Sequence, residues 1–257
     1  MKKLFLFAIA MYGLALNSFA QPTEATESIP ESAELKRIRF GAFIAPSLSW
    51  MKPTAAKDGS QTQENGGSKM GFAYGLMADY QLTDNYTIAT GLTVNSSGGK
   101  VNTNNPAAGI NEVSKSSFNY SLQYIEIPVA LKLKTDKIGQ CVFFGQAGMS
   151  LGINIGKKAT YNVEQKTGDT TSNTIKADQK EKLSGSFGNI APILLQMNLG
   201  IGVQYAINKK LDAYIGLFFN NSFAPDITNP SKYKAIPEFK DGTVRLNNFA
   251  LRMGFYF

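Results

Sequence analysis

The chain has 257 residues, with 26 Lys and Arg against 19 Asp and Glu, a formal net charge of +7 and no His. The lack of His excludes Ser-His-Asp, Cys-His and His-based metal sites as they are usually built, and a single Cys excludes an intramolecular disulfide. Because no basic run is interleaved with aromatic residues, the positive excess carries no nucleic-acid signal.

The first 20 residues have the organisation of a secretory signal peptide. Lys2 and Lys3 form the positive start, residues 4–16 form an apolar stretch, and Ser18-Phe19-Ala20 is a small-x-small cleavage site. A membrane anchor is the alternative, but the stretch is shorter than the roughly 20 residues that a helix needs to span a bilayer. We therefore predict export, with cleavage after Ala20.

Two further segments complete the predicted domain organisation. Residues 21–36 are acidic and polar and contain two prolines, which predicts a flexible periplasmic leader. Residues 37–257 alternate between apolar runs of period two and turn-rich stretches, the pattern of a β-domain.

Eight strands are predicted in the β-domain. They cover residues 37–49, 70–80, 86–95, 117–134, 140–155, 190–206, 211–219 and 244–257. Short turns near 81–85, 135–139 and 207–210 alternate with long polar segments near 50–69, 96–116, 156–189 and 220–243. This alternation is typical of bacterial outer-membrane barrels, which have short periplasmic turns and long outer loops.

The last strand carries the strongest membrane signal. Large apolar residues occupy positions 249, 251, 253, 255 and 257, and the strand ends on Phe257 without a polar tail. A barrel strand that faces lipid needs such a face, whereas a soluble edge strand with it invites aggregation. The terminal aromatic also resembles the signal by which the outer-membrane assembly machinery recognises its clients. We predict an all-β, eight-stranded, antiparallel, up-and-down transmembrane barrel, with outer-membrane lipid and that machinery as partners.

The strand over 117–134 changes the phase of its apolar residues. Phe118, Tyr120, Leu122 and Tyr124 share one phase, whereas Ile125 to Leu133 follow the other. We predict a β-bulge near this point, which would also accommodate Pro128. Outward aromatics then form two girdles, which contain Tyr80, Tyr86, Tyr205, Phe255 and Phe257 at the turn end and Phe72, Tyr74, Phe118, Tyr120 and Phe219 at the other.

The inward phases carry charges of both signs. Arg37, Arg39, Asp79, Lys132, Lys134 and Asp212 are predicted to point inward near the turn end, and Glu126 and Arg252 nearer the middle. Buried charges must pair, since an isolated one is costly. We predict a network that plugs the lumen, and we weigh against it a ring that selects ions.

We predict no catalytic, cofactor-binding or metal-binding residue. The carboxylates that remain as candidates for glycoside chemistry, Asp169, Asp178 and Glu181, lie in the long segment 156–189. That segment is rich in Thr and Lys, so it is either a solvated loop or a contact for a protein or surface polymer.

A family resemblance comes from the segment Tyr124-Ile125-Glu126-Ile127-Pro128-Val129-Ala130-Leu131-Lys132. It resembles the Y-x-E-I-P-x-x-x-K segment of the PorT-like outer-membrane β-barrel family of Bacteroidota. Phe144-Gly145-Gln146-Ala147-Gly148 is similar to the Gly-rich strand that follows it there. The resemblance implies a small outer-membrane barrel and does not imply one activity.

The expected function is a structural role, or an interaction through the outer loops, without catalysis. Three alternatives stay open: a narrow channel, an accessory component of a secretion assembly, and a soluble periplasmic barrel with its apolar faces turned inward.

Overall fold

The structure is a computed structural model that describes residues 38–168, 172–182, 189–208, 210–228 and 243–257. The predicted signal peptide, the leader, Arg37 and Asp169 lie outside the described residues. Asp178 and Glu181 lie in a described strand, but their side chains are not described. In the part of the chain that is described, no helix has the length and apolar character needed to cross a membrane.

Thirteen strands form one antiparallel sheet. Their bounds are β1 Ile38–Pro53, β2 Lys57–Asp58, β3 Gln61–Gly67, β4 Lys69–Gln81, β5 Tyr86–Asn104, β6 Val113–Lys134, β7 Cys141–Lys166, β8 Ser172–Lys182, β9 Asn189–Ile190, β10 Ile193–Ala206, β11 Asp212–Ser222, β12 Ile227–Thr228 and β13 Thr243–Tyr256. Of the other five strands, β3, β8 and β12 pair with β5, β7 and β13, whereas β2 pairs with β3 and β9 with β12.

The eight long strands close into a ring. They pair in the order β1, β4, β5, β6, β7, β10, β11 and β13, and β13 pairs back with β1 from Gly41↔Tyr256 to Pro53↔Val244. Closure leaves no open edge, which is a requirement for strands in lipid. The predicted eight-stranded antiparallel barrel is confirmed.

One end of the barrel, here called the turn end, carries the three predicted short turns. They join β4 to β5, β6 to β7 and β10 to β11. At the second turn, Gly139 has a φ of 64°, a conformation that glycine adopts without steric cost. At the first, Leu82 and Thr83 both donate backbone hydrogen bonds to the carbonyl of Tyr86.

An outward apolar band surrounds the barrel next to the turn end. On β6 it runs from Ile125 to Leu133, and Ile127, Val129, Leu131 and Leu133 are each about half exposed. This stretch of nine residues matches the roughly 9–11 that a tilted strand needs to cross a bilayer. We call this part of the barrel the membrane section.

Beyond the band, the strands continue where the sequence predicted long loops. β1, β5, β6 and β7 run on to Pro53, Asn104, Val113 and Lys166, and β3 and β8 add hairpin strands to them. The prediction of long loops over 50–69, 96–116 and 156–189 was therefore wrong for most of their described residues. We call this second part of the barrel, beyond the apolar band, the extension.

The phase change on β6 has a different cause from the predicted one. A bulge does occur at this level, but the extra residue is Ile155 of β7, since Gln123 pairs with Gly156 and Tyr124 with Asn154. On β6 itself the side chains alternate without interruption. The inward positions are simply apolar in the extension and polar or small in the membrane section.

Phe118 and Tyr120 are therefore not part of an outward girdle. They are 2% and 1% exposed and stack inside the extension with ring centroids 6.0 Å apart. The prediction failed because it assumed that the apolar face of every strand faces lipid, which does not hold beyond the band.

Candidate functional site

The lumen of the membrane section is filled in layers, beginning at the turn end. There Arg39 Nη1 lies 2.6 Å from Asp212 Oδ2, and both side chains are partly exposed. The Arg39 guanidinium also lies 5.4 Å from the ring centre of Tyr256. β1 and β11 supply the two charges from opposite sides of β13, so this pair bridges over β13 at the turn end.

The next layer is a buried group of three side chains. Lys132 Nζ lies 2.6 Å from Asp79 Oδ2 and donates a 2.7 Å hydrogen bond to the Tyr256 hydroxyl, which is 3.3 Å from Asp79 Oδ1. Lys132 and Asp79 are only 2% and 3% exposed. Lys134 lies 3.8 Å from the same carboxylate. Two cations therefore share Asp79, which satisfies the requirement that buried charges be paired.

Aromatic rings hold the third layer. The Arg252 guanidinium lies 4.2 Å from the ring centre of Phe218 and 5.0 Å from that of Phe43, in cation–π contact with both. The cavity that remains between this layer and Lys132 has a volume of about 20 Å³, which is room for about one water. At this level the lumen is closed by side chains.

The layer next to the extension contains Glu126, which is hydrogen-bonded to two neighbouring side chains. Glu126 accepts hydrogen bonds of 2.9 Å from the amides of Asn95 and Gln196. Farther round the wall, the register of β10, β11 and β13 aligns Asn198, Asn220 and Asn248. Asn198 donates to Asn220 and Asn220 donates to Asn248, each at 2.6 Å, which links the inward side chains of three neighbouring strands.

The extension has the opposite interior. Its buried cluster is apolar and includes Met51, Val101, Val113, Phe118, Tyr120, Leu122, Tyr124, Ala159, Val163, Ile190, Leu194, Ile227, Val244 and Leu246. A residue exposed on its outer surface is typically polar, as Lys100, Asn104 and Asn119 are. This is the organisation of a water-soluble β-protein.

One carboxylate is buried at the rim of this apolar cluster. Asp226, which is 2% exposed, accepts hydrogen bonds from the Leu246 backbone N–H and the Ser222 hydroxyl. Burial raises the pKa of Asp226 to about 7, although the two hydrogen bonds stabilise the ionised form and act to lower the pKa. Asp226 thereby fastens the segment after β11 to β13.

The structure brings most of the predicted inward charges together, but in separate groups. Arg39 pairs with Asp212, Asp79 with Lys132, and Glu126 contacts only neutral amides among the described hydrogen bonds. Arg252 contacts rings. Arg37 lies outside the described residues.

Sequence reasoning missed the aromatic part of this filling. Phe43, Phe144, Tyr214, Phe218 and Tyr256 form a buried cluster inside the membrane section. The in-out alternation of β13 could have identified one of these rings, because Tyr256 lies between the outward Phe255 and Phe257 and therefore points inward. Within the described residues, no group of three or more His, Cys, Asp and Glu side chains is placed to hold a metal ion.

Comparison with known proteins identifies a family. The family model described as "Outer membrane protein beta-barrel domain" matches residues 19–224. No curated protein matches the chain.

Several solved structures are similar to this chain. Neisserial surface protein A is 12% identical, with 84% of this chain and 95% of that chain covered and a TM-score of 0.41. Ail, the attachment invasion locus protein of Yersinia pestis, is 12% identical over 85% of this chain and 98% of that chain, with a TM-score of 0.35. OprG from Pseudomonas aeruginosa is 11% identical over 85% and 94%, with a TM-score of 0.40.

Proposed function

The chain belongs to the outer membrane protein beta-barrel domain family, and from that premise we propose that it is a non-conducting, non-catalytic membrane scaffold that presents its extension to a partner. The membrane section anchors the protein in the outer membrane. The extension is the part that makes the contact, with a protein or a surface polymer as the class of partner.

The observation that carries this proposal is the closed lumen. Lys132, Asp79 and Tyr256 meet in the lumen near the turn end, beside a cavity of only about 20 Å³. An eight-stranded barrel leaves an interior just wide enough for side chains. A hydrated ion would need both the buried ion pair and the Arg252 layer to open, so transport is disfavoured.

The extension supports the second half of the proposal. Strand pairing continues to Lys166 on β7, and an apolar core holds the paired strands. A surface of this kind is prearranged, which reduces the entropy lost when a partner binds.

Sidedness and ancestry are part of the same proposal. Short turns face the periplasm in outer-membrane barrels, so the extension faces the cell exterior. The segment Tyr124–Lys132 supports a place among the PorT-like proteins of Bacteroidota, and the outward apolar face of β13 supports recognition of this strand by the barrel assembly machinery. An exported precursor cleaved after Ala20 is consistent with this route.

Conductance across a planar bilayer tests the closed lumen. Wild-type protein should give no stable current steps. Asp79→Ala should give the largest leak current of any single substitution, because it removes the acceptor of Lys132 and Lys134. Val129→Ala on the outward face is the control and should leave the trace silent. Regular wild-type current steps with ion selectivity would overturn the scaffold in favour of a narrow channel.

Crosslinking in intact cells tests the partner. We expect a photoreactive residue at Asn119, on the outer surface of the extension, to capture a specific product, whereas one at Leu131 in the lipid-facing band should not. Capture of secretion-machinery subunits would identify the accessory component of a secretion assembly. Equal products at both positions would contradict the role of the extension.

A further inference from the structure

A groove with lysines above an apolar floor lies on the outer wall at the upper edge of the apolar band. Its volume is about 440 Å³, and its polar lining includes Lys69, Ser96, Ser121, Gln123, Lys157 and Lys158. We call it the lysine groove. No described carboxylate lines it.

The groove begins where the lipid-facing residues end, on strands that lie next to one another. On β4, Lys69 directly precedes Met70, which is 82% exposed, and on β7 Lys157 and Lys158 follow the exposed Ile155 closely. The groove floor also contains Phe72. Its cations therefore lie at the level of the lipid headgroups, with apolar surface directly below them.

One lysine of the groove is hydrogen-bonded to its wall, and a second occupies the neighbouring register position. Lys69 reaches across Gly98 of β5 and donates from Nζ to the Ser121 hydroxyl and, at 3.1 Å, to the Tyr120 carbonyl. Lys158 is exposed and is the register partner of Ser121 on β7. Gly98 has no side chain to block this crossing, and an added Cβ would lie 3.2 Å from the Lys69 stem.

A second groove on the same wall differs from the lysine groove in its net charge and can be compared with it. It lies farther along the extension, with a volume of about 390 Å³, and it is lined by Lys100 and Lys115 but also by Glu64 and Glu164. Its two cations are balanced by two carboxylates. We call it the mixed groove, and it offers a control of similar size without an excess of positive charge.

We infer that the lysine groove binds the phosphate of an anionic lipid headgroup in the leaflet around the extension. Lysine is a point-charge binder of phosphate, and Lys stems lie over apolar surface while their ammonium groups reach the headgroups. Ser121 and Gln123 add neutral hydrogen-bonding groups beside the cations. This inference concerns lipid and is independent of whether the extension has a protein partner.

The test uses the full-length exported protein in zwitterionic detergent, with phosphatidic acid as the probe and phosphatidylcholine as the neutral reference, and native mass spectrometry to count bound lipid. Lys69→Gln/Lys158→Gln should weaken phosphatidic acid binding about 25-fold, since each lysine near an anionic surface is worth about fivefold. Lys100→Gln/Lys115→Gln removes the same charge from the mixed groove and should change binding less than about twofold.

Two further arms distinguish the outcomes. Lys158→Arg keeps the charge and should keep the binding, which separates a loss of charge from a loss of folding. Excess inorganic phosphate should not displace the lipid, because it lacks the acyl chains that rest on the apolar band. Equal losses in both double variants, or displacement by inorganic phosphate, would overturn the lipid site.

Discussion

The membrane section and the extension are built on the same strands with opposite interiors. Inside the membrane section lie Asp79, Glu126 and Lys132, and inside the extension lie Phe118 and Leu122. The outer surfaces differ in the opposite sense. Val129 and Leu131 are exposed in the band, whereas Asn119 is exposed beyond it. Along β6, side chains alternate in and out without a break, while the chemistry of the two sides inverts near Tyr124.

Solvent, rather than strand geometry, therefore decides which side of each strand is apolar. In lipid the outer wall must be apolar and the narrow lumen takes the polar groups. In water the outer wall must be polar, so the lumen becomes the only place to bury large apolar side chains. One barrel therefore contains two cores, with Glu126 and Tyr124 at their junction.

Removing a buried charge should have the largest effect on the membrane section. Lys132→Met leaves Asp79 with the Tyr256 hydroxyl and, among the described residues, with the more distant Lys134 as its cation. Breaking a buried pair costs about 3–5 kcal/mol. Urea unfolding in lipid vesicles, followed by heat-dependent gel mobility, should measure the loss. Lys132→Met/Asp79→Leu is the control, because replacing the whole pair with apolar residues is often close to neutral. Equal losses in both variants would contradict pairing as the cause.

An apolar truncation should have its largest effect in the extension. Leu122→Ala opens a cavity in a packed core, which costs about 2–5 kcal/mol, and should increase amide hydrogen exchange throughout the extension. Leu131→Ala on the same strand faces lipid, whose tails fill the space, so exchange in the extension should not change. Equal exchange in both variants would mean that the extension has no packed core of its own.

A charge placed on the outer wall should locate the boundary between the membrane section and the extension. Val129→Arg puts a cation into the band, which costs about 2–4 kcal/mol near the bilayer midplane. Asn119→Arg, on the outer surface of the same strand, should leave the free energy of unfolding within about 0.5 kcal/mol of wild type. Urea titration in vesicles gives both values, and a similar cost at Asn119 would move the lipid boundary into the extension.

The sequence predicted the ring and the turn end well, because period-two patterns and turn residues are local signals. It also placed Asp79, Lys132 and Arg252 on the inward phase, since phase follows from neighbours one residue away. It did not predict the extension. Phe118 and Tyr120 look the same in the sequence whether they face lipid or a packed interior. Their burial on a strand that stays paired as far as Val113 separates the two cases.

The smallest effect, and the one most specific to the junction, is expected from pH. Asp226 has a folded pKa of about 7 against an ordinary value of 3.8, so the folded state holds its proton more tightly than the unfolded state. Stability from this group is therefore fully present below the ordinary pKa and is lost as pH rises through about 7. Between about pH 6 and pH 8 we expect a loss of about 1 kcal/mol.

The loss should be local to the segment that Asp226 holds. Amide exchange at Leu246, whose N–H donates to this carboxylate, should increase with pH beyond the intrinsic rate. Asp226→Asn keeps an acceptor for Leu246 and a group that can bond the Ser222 hydroxyl, but it does not titrate, so its corrected exchange should be flat. A pH dependence that survives in Asp226→Asn would assign the effect to another group. If the dependence disappears, the junction between the polar and apolar cores contains a carboxyl group whose protonated form stabilises the folded state more than its ionised form does.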